Sequence, residues 1–308
     1  MPQPFFKHIT LTGAAKSAVS RFVLPGLSLV LMASGCAVIK NSTAPIRLAN
    51  EVNVIEDIDY NPPNSNLKQR LDLFIPRSSP GVSPVAVFVH GGYWKNQDKR
   101  YFRPVTGLYW NFGFALAQQG FLTAVISYRL FPESRIDGQI NDVRTAVAWV
   151  GAHAGEYGGD GDQIHLIGHS AGGHLVAMVG LNDHSNVRSI VALSPILDIV
   201  HMKEFQTSDF NREIVFPVFG SSDDDLRRRS PIEFWSSKAP PLNVIIGSDD
   251  YPFVFEQCRQ FSEKAQTENW NVRLETLKGF EHADLVLSVT NKDSTIIQKA
   301  IKFMRQHN

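Results

Sequence analysis

Five short, almost uninterrupted apolar runs dominate the chain: Val85–Val89, Phe121–Ser127, Ile164–Ile167, Ile190–Leu193 and Leu242–Ile246. A strand with one face in water alternates apolar and polar side chains, whereas a strand covered on both faces reads as a continuous run. Between the runs, apolar residues recur at helical spacing, as in Ile136, Ile140, Val143, Val147 and Val150, and in Val254, Cys258, Phe261 and Ala265. Doubly covered strands alternating with amphipathic helices imply an α/β fold, a mostly parallel central sheet with helices on both faces. Val52–Tyr60, Arg70–Ile75 and Val272–Leu277 read as further strands, and the alternation in Arg70–Ile75 suits a sheet edge. No linker, repeat or low-complexity segment breaks residues 51–308, so they read as one domain. Asp198–Trp235 is longer than an ordinary connection, and a small cap is expected at about 198–235.

The first fifty residues differ. Lys7, Lys16 and Arg21 are basic, no acidic residue precedes Glu51, and the apolar run Phe22–Ser34 leads to Gly35-Cys36. A basic start, a short apolar run and small residues describe an export signal, too short for a membrane span of about 20 residues. Ala33-Ser34-Gly35-Cys36 resembles a bacterial lipobox, with Ala33 where leucine is usual. That resemblance implies cleavage after residue 35, lipidation of Cys36, a tether over 36–50, and an exported protein anchored by lipid at a membrane facing the periplasm or cell exterior. A plain signal peptide is the alternative. Lys+Arg and Asp+Glu are 30 each, so no basic field is available for a nucleic acid. The two cysteines, Cys36 and Cys258, exclude a disulfide scaffold or a Cys-rich zinc site.

Gly168-His-Ser-Ala-Gly172 places Ser170 between the run Ile164–Ile167 and a helical stretch. G-x-S-x-G in a strand–turn–helix context makes a sharp turn that lifts the serine hydroxyl clear of the sheet. The helix N-terminus behind it favours developing negative charge. His90-Gly-Gly-Tyr-Trp94 follows the buried run Val85–Val89. Glycines after such a strand bring backbone N–H groups close to a substrate oxygen, so Gly91 and Gly92, with Ala171 after the nucleophile, are the expected oxyanion donors. Tyr93 and Trp94 should wall the substrate pocket, His169 should flank the nucleophile there, and His90 should orient the loop.

A nucleophilic serine needs a general base, and the base needs an orienting carboxylate. In chains with this turn the order is serine, acid, histidine. The run Leu242–Ile246 ends in Gly-Ser-Asp249-Asp250, offering two acids. The residues alone leave both open. His282 follows the last strand, in Lys278-Gly-Phe-Glu-His282. His153, His184 and His201 precede the acid, His8 and His307 lie at the termini, and His165, His169 and His174 crowd the turn. His165 and His169 are separated by strand and turn, so their spacing is not that of a helical zinc pair. Phe205, Phe210, Phe216 and Phe219 either line an acyl pocket or form the cap's own core.

With HGGYW, YGGD at Tyr157–Asp160, GHSAGGHL at Gly168–Leu175, and the GSDDY-to-His282 spacing, the chain resembles an α/β-hydrolase of the esterase type with an HGG oxyanion loop. The resemblance covers about Leu71 to Met304. It is similar to prenylcysteine methylesterase-like carboxylesterases, to kynurenine formamidases, and to bacterial feruloyl and acetyl xylan esterase-like proteins. It implies the α/β-hydrolase fold and a serine carboxylic-ester hydrolase acting through an acyl-enzyme on short-acyl or methyl esters. The enzymes that this chain resembles usually read G-x-x-D at the acid, which implies Asp250 and leaves Asp249 as the alternative. No cofactor or metal is implied, and the partner is a small-molecule ester. A formamidase-like amidase cleaving an N-formyl group is the alternative within enzymes. A non-catalytic surface binding protein is the alternative outside them.

Overall fold

The computed structural model describes residues 51–308 apart from 64–65, 79–80, 104, 183–185 and 237. The expected signal segment, Cys36 and the tether lie outside the described residues, as does His184. Eight strands form one sheet: β1 (Val52–Asp59), β2 (Arg70–Pro76), β3 (Ser83–Val89), β4 (Leu122–Ile126), β5 (Gly159–His169), β6 (Val187–Leu193), β7 (Leu242–Gly247) and β8 (Val272–Leu277). Their order is β1-β2-β4-β3-β5-β6-β7-β8. β2 is antiparallel to both β1 and β4, and every other pairing is parallel. The mostly parallel α/β sheet expected from the apolar runs is therefore the one observed, and it is the α/β-hydrolase fold that the resemblance implied.

The two-residue period of a strand divides the core into two layers. Val85, Val87 and Val89 face one core; Ala86 and Phe88 face the other. The first core is closed by α2 (Ile136–His153), α3 (Ala171–Asn182) and α6 (Pro252–Thr267), and the second by α1 (Trp110–Ala117) and α7 (Thr295–Arg305). Phe88 stacks on Phe112 of α1 with ring centroids 4.1 Å apart. Truncating such a buried ring to alanine typically costs about 3–5 kcal/mol.

Between β6 and β7 the chain forms the segment expected as a cap. It is a succession of short turns rather than one body: α4 (Ile199–Phe205), a turn at Ser208–Phe210, a π-helical turn at Asn211–Val215, a turn at Phe216–Phe219, α5 (Asp223–Arg227) and a 3₁₀ turn at Pro231–Glu233. Asp198 caps α4 by accepting from the His201 N–H, and Ser222 caps α5 by accepting from the Asp225 N–H. Arg229 ties this segment to the main body through a two-pronged ion pair with Asp137 of α2.

All five strands from β3 through β8, with β4 set aside, end at one edge of the sheet. Register pairs Val89 with Gly168, His169 with Leu193, Leu193 with Ile245, and Gly247 with Leu277. The loops after these strands carry His90–Trp94, Ser170, Ser194, Asp250 and His282. The crevice beyond the carboxyl ends of parallel strands is where open α/β sheets hold their ligands.

Candidate active site

Ser170 sits in the one-residue turn between β5 and α3, with φ +56°. That left-handed conformation is costly for a residue with a Cβ and persists only where its surroundings hold it. Here the Ser170 N–H donates to the Leu193 carbonyl at 2.9 Å, and the Ser170 carbonyl accepts from the His174 N–H at 3.0 Å. The two motif glycines permit the turn by close approach. A Cβ on Gly168 would lie 2.3 Å from the Gly172 oxygen, and one on Gly172 would lie 2.2 Å from the Val89 oxygen. No larger residue fits either position without moving backbone.

Those same contacts put the HGGYW loop against the turn. A Cβ on Gly172 would also meet the His90 oxygen at 2.5 Å, and one on Gly91 would meet the His169 oxygen at 3.1 Å. Ala171 opens α3, so Gly91, Gly92 and Ala171 lie together at the sheet edge beside Ser170. Gly92 has φ +112°, and its carbonyl accepts from the N–H groups of Lys95 and Asn96 at 3.1 and 2.9 Å. The turn continues through Tyr93 at φ +55° and Trp94 at φ +60°. His90 is fully buried, stacked on Tyr128 at 4.4 Å, with Nδ1 2.7 Å from the Gly91 oxygen. Burial pushes the His90 imidazole down to about 4, so it orients the loop as a neutral ring.

The structure brings His282 to Asp250, not to Asp249. The His282 Nδ1–H donates to Asp250 Oδ1 at 2.8 Å. Asp250 is buried, and its Oδ1 also accepts from the Tyr251 N–H at 2.7 Å, while Oδ2 accepts from the Ser194 hydroxyl. Burial alone would raise this carboxyl. The bond and charge of His282, with Ser194 and the Tyr251 N–H, outweigh it and hold Asp250 below the ordinary carboxylate range. Asp249 is exposed, its carboxylate accepting from Ser248 Oγ at 2.8 Å and its N–H donating to the Phe280 carbonyl at 3.0 Å.

A recess of about 270 Å³, including its open mouth, lies in front of these groups. Ser170 and His282 line it, with Tyr93, Trp94, Ile196, Met202, Tyr251 and Phe253 as walls. No carboxylate, lysine or arginine is among these lining residues. Trp94 is buried and held from behind: its Nε1–H donates to His174 Nδ1 at 3.3 Å, and Phe219 packs edge-on at 4.7 Å. His174 Nε2–H in turn donates to the Arg229 carbonyl at 2.7 Å.

His169 is not among the residues lining the recess. It is buried behind His282, where its Nε2–H donates to the His282 carbonyl at 3.0 Å. Burial first, then the proximity of His282, push its imidazole down to about 3. The expected place at the pocket is thus not where the ring lies: it is engaged with the loop that carries His282. The cap phenylalanines also lie outside the lining set. Phe219 is buried beneath Trp94, Phe210 packs on Tyr93, and Phe205 is exposed, while Met202 of α4 supplies the cap's wall. Sequence reasoning did not single out Ser194 or Met202, and it gave His174 no role. Ser194 stands directly after the buried run Ile190–Leu193, and nothing in its own neighbourhood marks it, because its partner Asp250 is 56 residues away. Among the described residues, no group of three or more His, Cys, Asp or Glu is placed to hold a metal ion.

Comparison with known proteins places this geometry among esterases. The sequence model of the BD-FAE family matches residues 71–265. A probable isoprenylcysteine alpha-carbonyl methylesterase of Arabidopsis thaliana is 28% identical over 243 residues, 71% of this chain and 49% of that protein. Esterase LipC of Mycobacterium tuberculosis is 32% identical over 214 residues, 64% of this chain and 52% of that protein. A kynurenine formamidase of Drosophila melanogaster is 22% identical over 242 residues, 74% of this chain and 76% of that protein. The chain thus spans about half the length of the first two. Among solved structures, a truncated carbohydrate esterase from gut microbiota superposes with a TM-score of 0.74 at 19% identity, covering 86% of this chain and 99% of that one.

Proposed function

This chain belongs to the BD-FAE family, and from that premise we propose that it is a serine carboxylic-ester hydrolase using Ser170, His282 and Asp250. The observation that carries the reading is the His282–Asp250 hydrogen bond at the wall of a recess that Ser170 also lines. Asp250 accepts the Nδ1–H of His282, which leaves Nε2 as the atom available to take a proton. Ser170 Oγ attacks the ester carbonyl carbon as its proton passes to His282 Nε2. The resulting oxyanion is held by the N–H groups of Ala171, Gly91 and Gly92, and losing one such donor typically costs about 3 kcal/mol in the barrier. Collapse of the intermediate breaks the C–O bond to the alcohol, which leaves with the proton from His282. The acyl group remains on Ser170 until water, deprotonated by the same imidazole, releases it as the carboxylic acid.

The lining of the recess supports short-acyl or methyl esters. Its walls are apolar or phenolic, with no carboxylate, lysine or arginine among the lining residues, which suits a small uncharged acyl group. The likeness to a kynurenine formamidase favours one second reading, cleavage of an N-formyl group by the same residues, since only the leaving group differs. The test compares kcat/KM for an aryl acetate and for N-formylkynurenine in the wild-type protein and Ser170→Ala. Ester turnover that vanishes in the variant supports the esterase; dominant formamide cleavage transfers the assignment to the amidase; ester turnover surviving in Ser170→Ala refutes both.

The basic, then apolar, N-terminal segment ending at Cys36 supports export and lipid anchoring, with residues 51–308 as the catalytic domain. A diacylglyceryl mass increment on a peptide beginning at Cys36 tests this. A mature N-terminus elsewhere overturns it.

A further inference from the structure

We infer that Ser194 is a positioning residue for the catalytic acid: its hydroxyl holds Oδ2 of Asp250 so that Oδ1 stays directed at His282. This rests on the triad proposed above and adds a fourth side chain to it.

Ser194 directly follows β6, the strand between those that lead to Ser170 and Asp250. It is fully buried and adopts φ +44°, a left-handed conformation that an ordinary strand end does not need. Its N–H is fixed on the Ile245 carbonyl at 2.8 Å, which locks the residue to β7 just before the acid loop. From there its Oγ donates to Asp250 Oδ2. The two carboxylate oxygens are thereby divided. Oδ1 takes the His282 Nδ1–H and the Tyr251 N–H, and Oδ2 takes Ser194. A buried carboxylate oxygen without a donor is costly, and a carboxyl group relieves that cost by rotating or by taking a proton. Rotation would withdraw Oδ1 from the imidazole, and protonation would remove the charge that stabilises the imidazole's cation. The other titratable groups around Asp250 do not substitute for Ser194. His282 is the partner being oriented; His169 is a neutral ring engaged with the His282 carbonyl; Cys258 of α6 is a buried neutral thiol directed at the Pro195 carbonyl; and Tyr251 packs its ring on His282 at 4.8 Å.

The test measures the rate at which a fluorophosphonate modifies the full-length protein, as a function of pH, for wild type, Ser194→Ala and Ser194→Gly. Glycine adopts φ +44° freely, so it removes the hydroxyl without the backbone cost that alanine retains. The expected result is a roughly tenfold or greater loss of the limiting rate in both variants, with little change in KM for an aryl acetate. The acidic limb of the profile should move to lower pH, because an imidazolium that loses its aligned, charged carboxylate is less stabilised. A wild-type rate and an unmoved limb in a folded variant overturn the inference, as does a limb moving to higher pH. The wild-type arm separates this from the functional reading: no modification of wild-type Ser170 defeats the triad itself, whereas modification that is indifferent to Ser194 defeats only this inference.

Discussion

Acidification should unfold this protein through its buried histidines. His90, His165, His169 and His174 are at most 5% exposed. Burial pushes their imidazoles down to about 4, 4, 3 and 4 respectively. In the unfolded chain each returns to about 6.5. Between about 6.5 and about 4 the unfolded state therefore binds more protons than the folded one, and stability falls as pH falls through that window. The contribution is fully present above about 6.5. From pH 7 to pH 5 each histidine removes about 2 kcal/mol, and the four together about 8 kcal/mol. That approaches the whole stability of an ordinary domain, about 5–15 kcal/mol. Urea unfolding followed by tryptophan fluorescence at pH 7, 6 and 5 measures it. Midpoints should drop steeply, and the slope against pH should correspond to nearly four protons taken up on unfolding. Stability at pH 5 within about 1 kcal/mol of that at pH 7 would refute the reasoning, since it would mean that these rings charge without unfolding.

Three further outcomes follow from the site. Asp250→Asn should lower kcat by about 10⁴ because the imidazole loses its tautomer, whereas Asp249→Asn should stay within about twofold, and steady-state kinetics separate the two. Met202→Ala should widen the recess toward longer acyl chains, shifting the butyrate-to-hexanoate ratio of kcat/KM by about fourfold per methylene accommodated; an unchanged chain-length profile would remove Met202 from the acyl side. Gly172→Ala should cost about 1–3 kcal/mol or more of stability and most of the activity, because its Cβ would meet main-chain oxygens of Val89 and His90; a thermal melt and an ester assay check both.

The fold and the turn that presents the candidate nucleophile Ser170 were legible because their signals are local. A strand buried on both faces announces itself as a continuous apolar run, and the turn at Gly168–Gly172 has glycines where no Cβ fits. The acid was readable only to within two residues. Asp249 and Asp250 are adjacent and chemically identical, and they diverge because the turn after Gly247 directs one to solvent and the other inward. His169 was read as a neighbour of the substrate because it adjoins Ser170 in the chain. Its ring instead meets the His282 carbonyl, a contact 113 residues away in sequence that adjacency to Ser170 does not reveal. Ser194 was invisible for a different reason: its partner is 56 residues away and becomes its neighbour only because β6 and β7 lie side by side. The interposition of β4 between β2 and β3 likewise depends on pairing across the sheet, which no single run of residues encodes. The cap's walls depend on how short turns settle, and only Met202 among them reaches the recess.

The central claim is that Ser170 is the residue that carries the acyl group. Peptide mass spectrometry after brief exposure of the full chain to a fluorophosphonate tests it most directly. The account expects one adduct, on the peptide containing Ser170, formed in step with the loss of ester turnover. Ester turnover that persists while Ser170 is fully modified, or an adduct that tracks inactivation on any other residue, would contradict it.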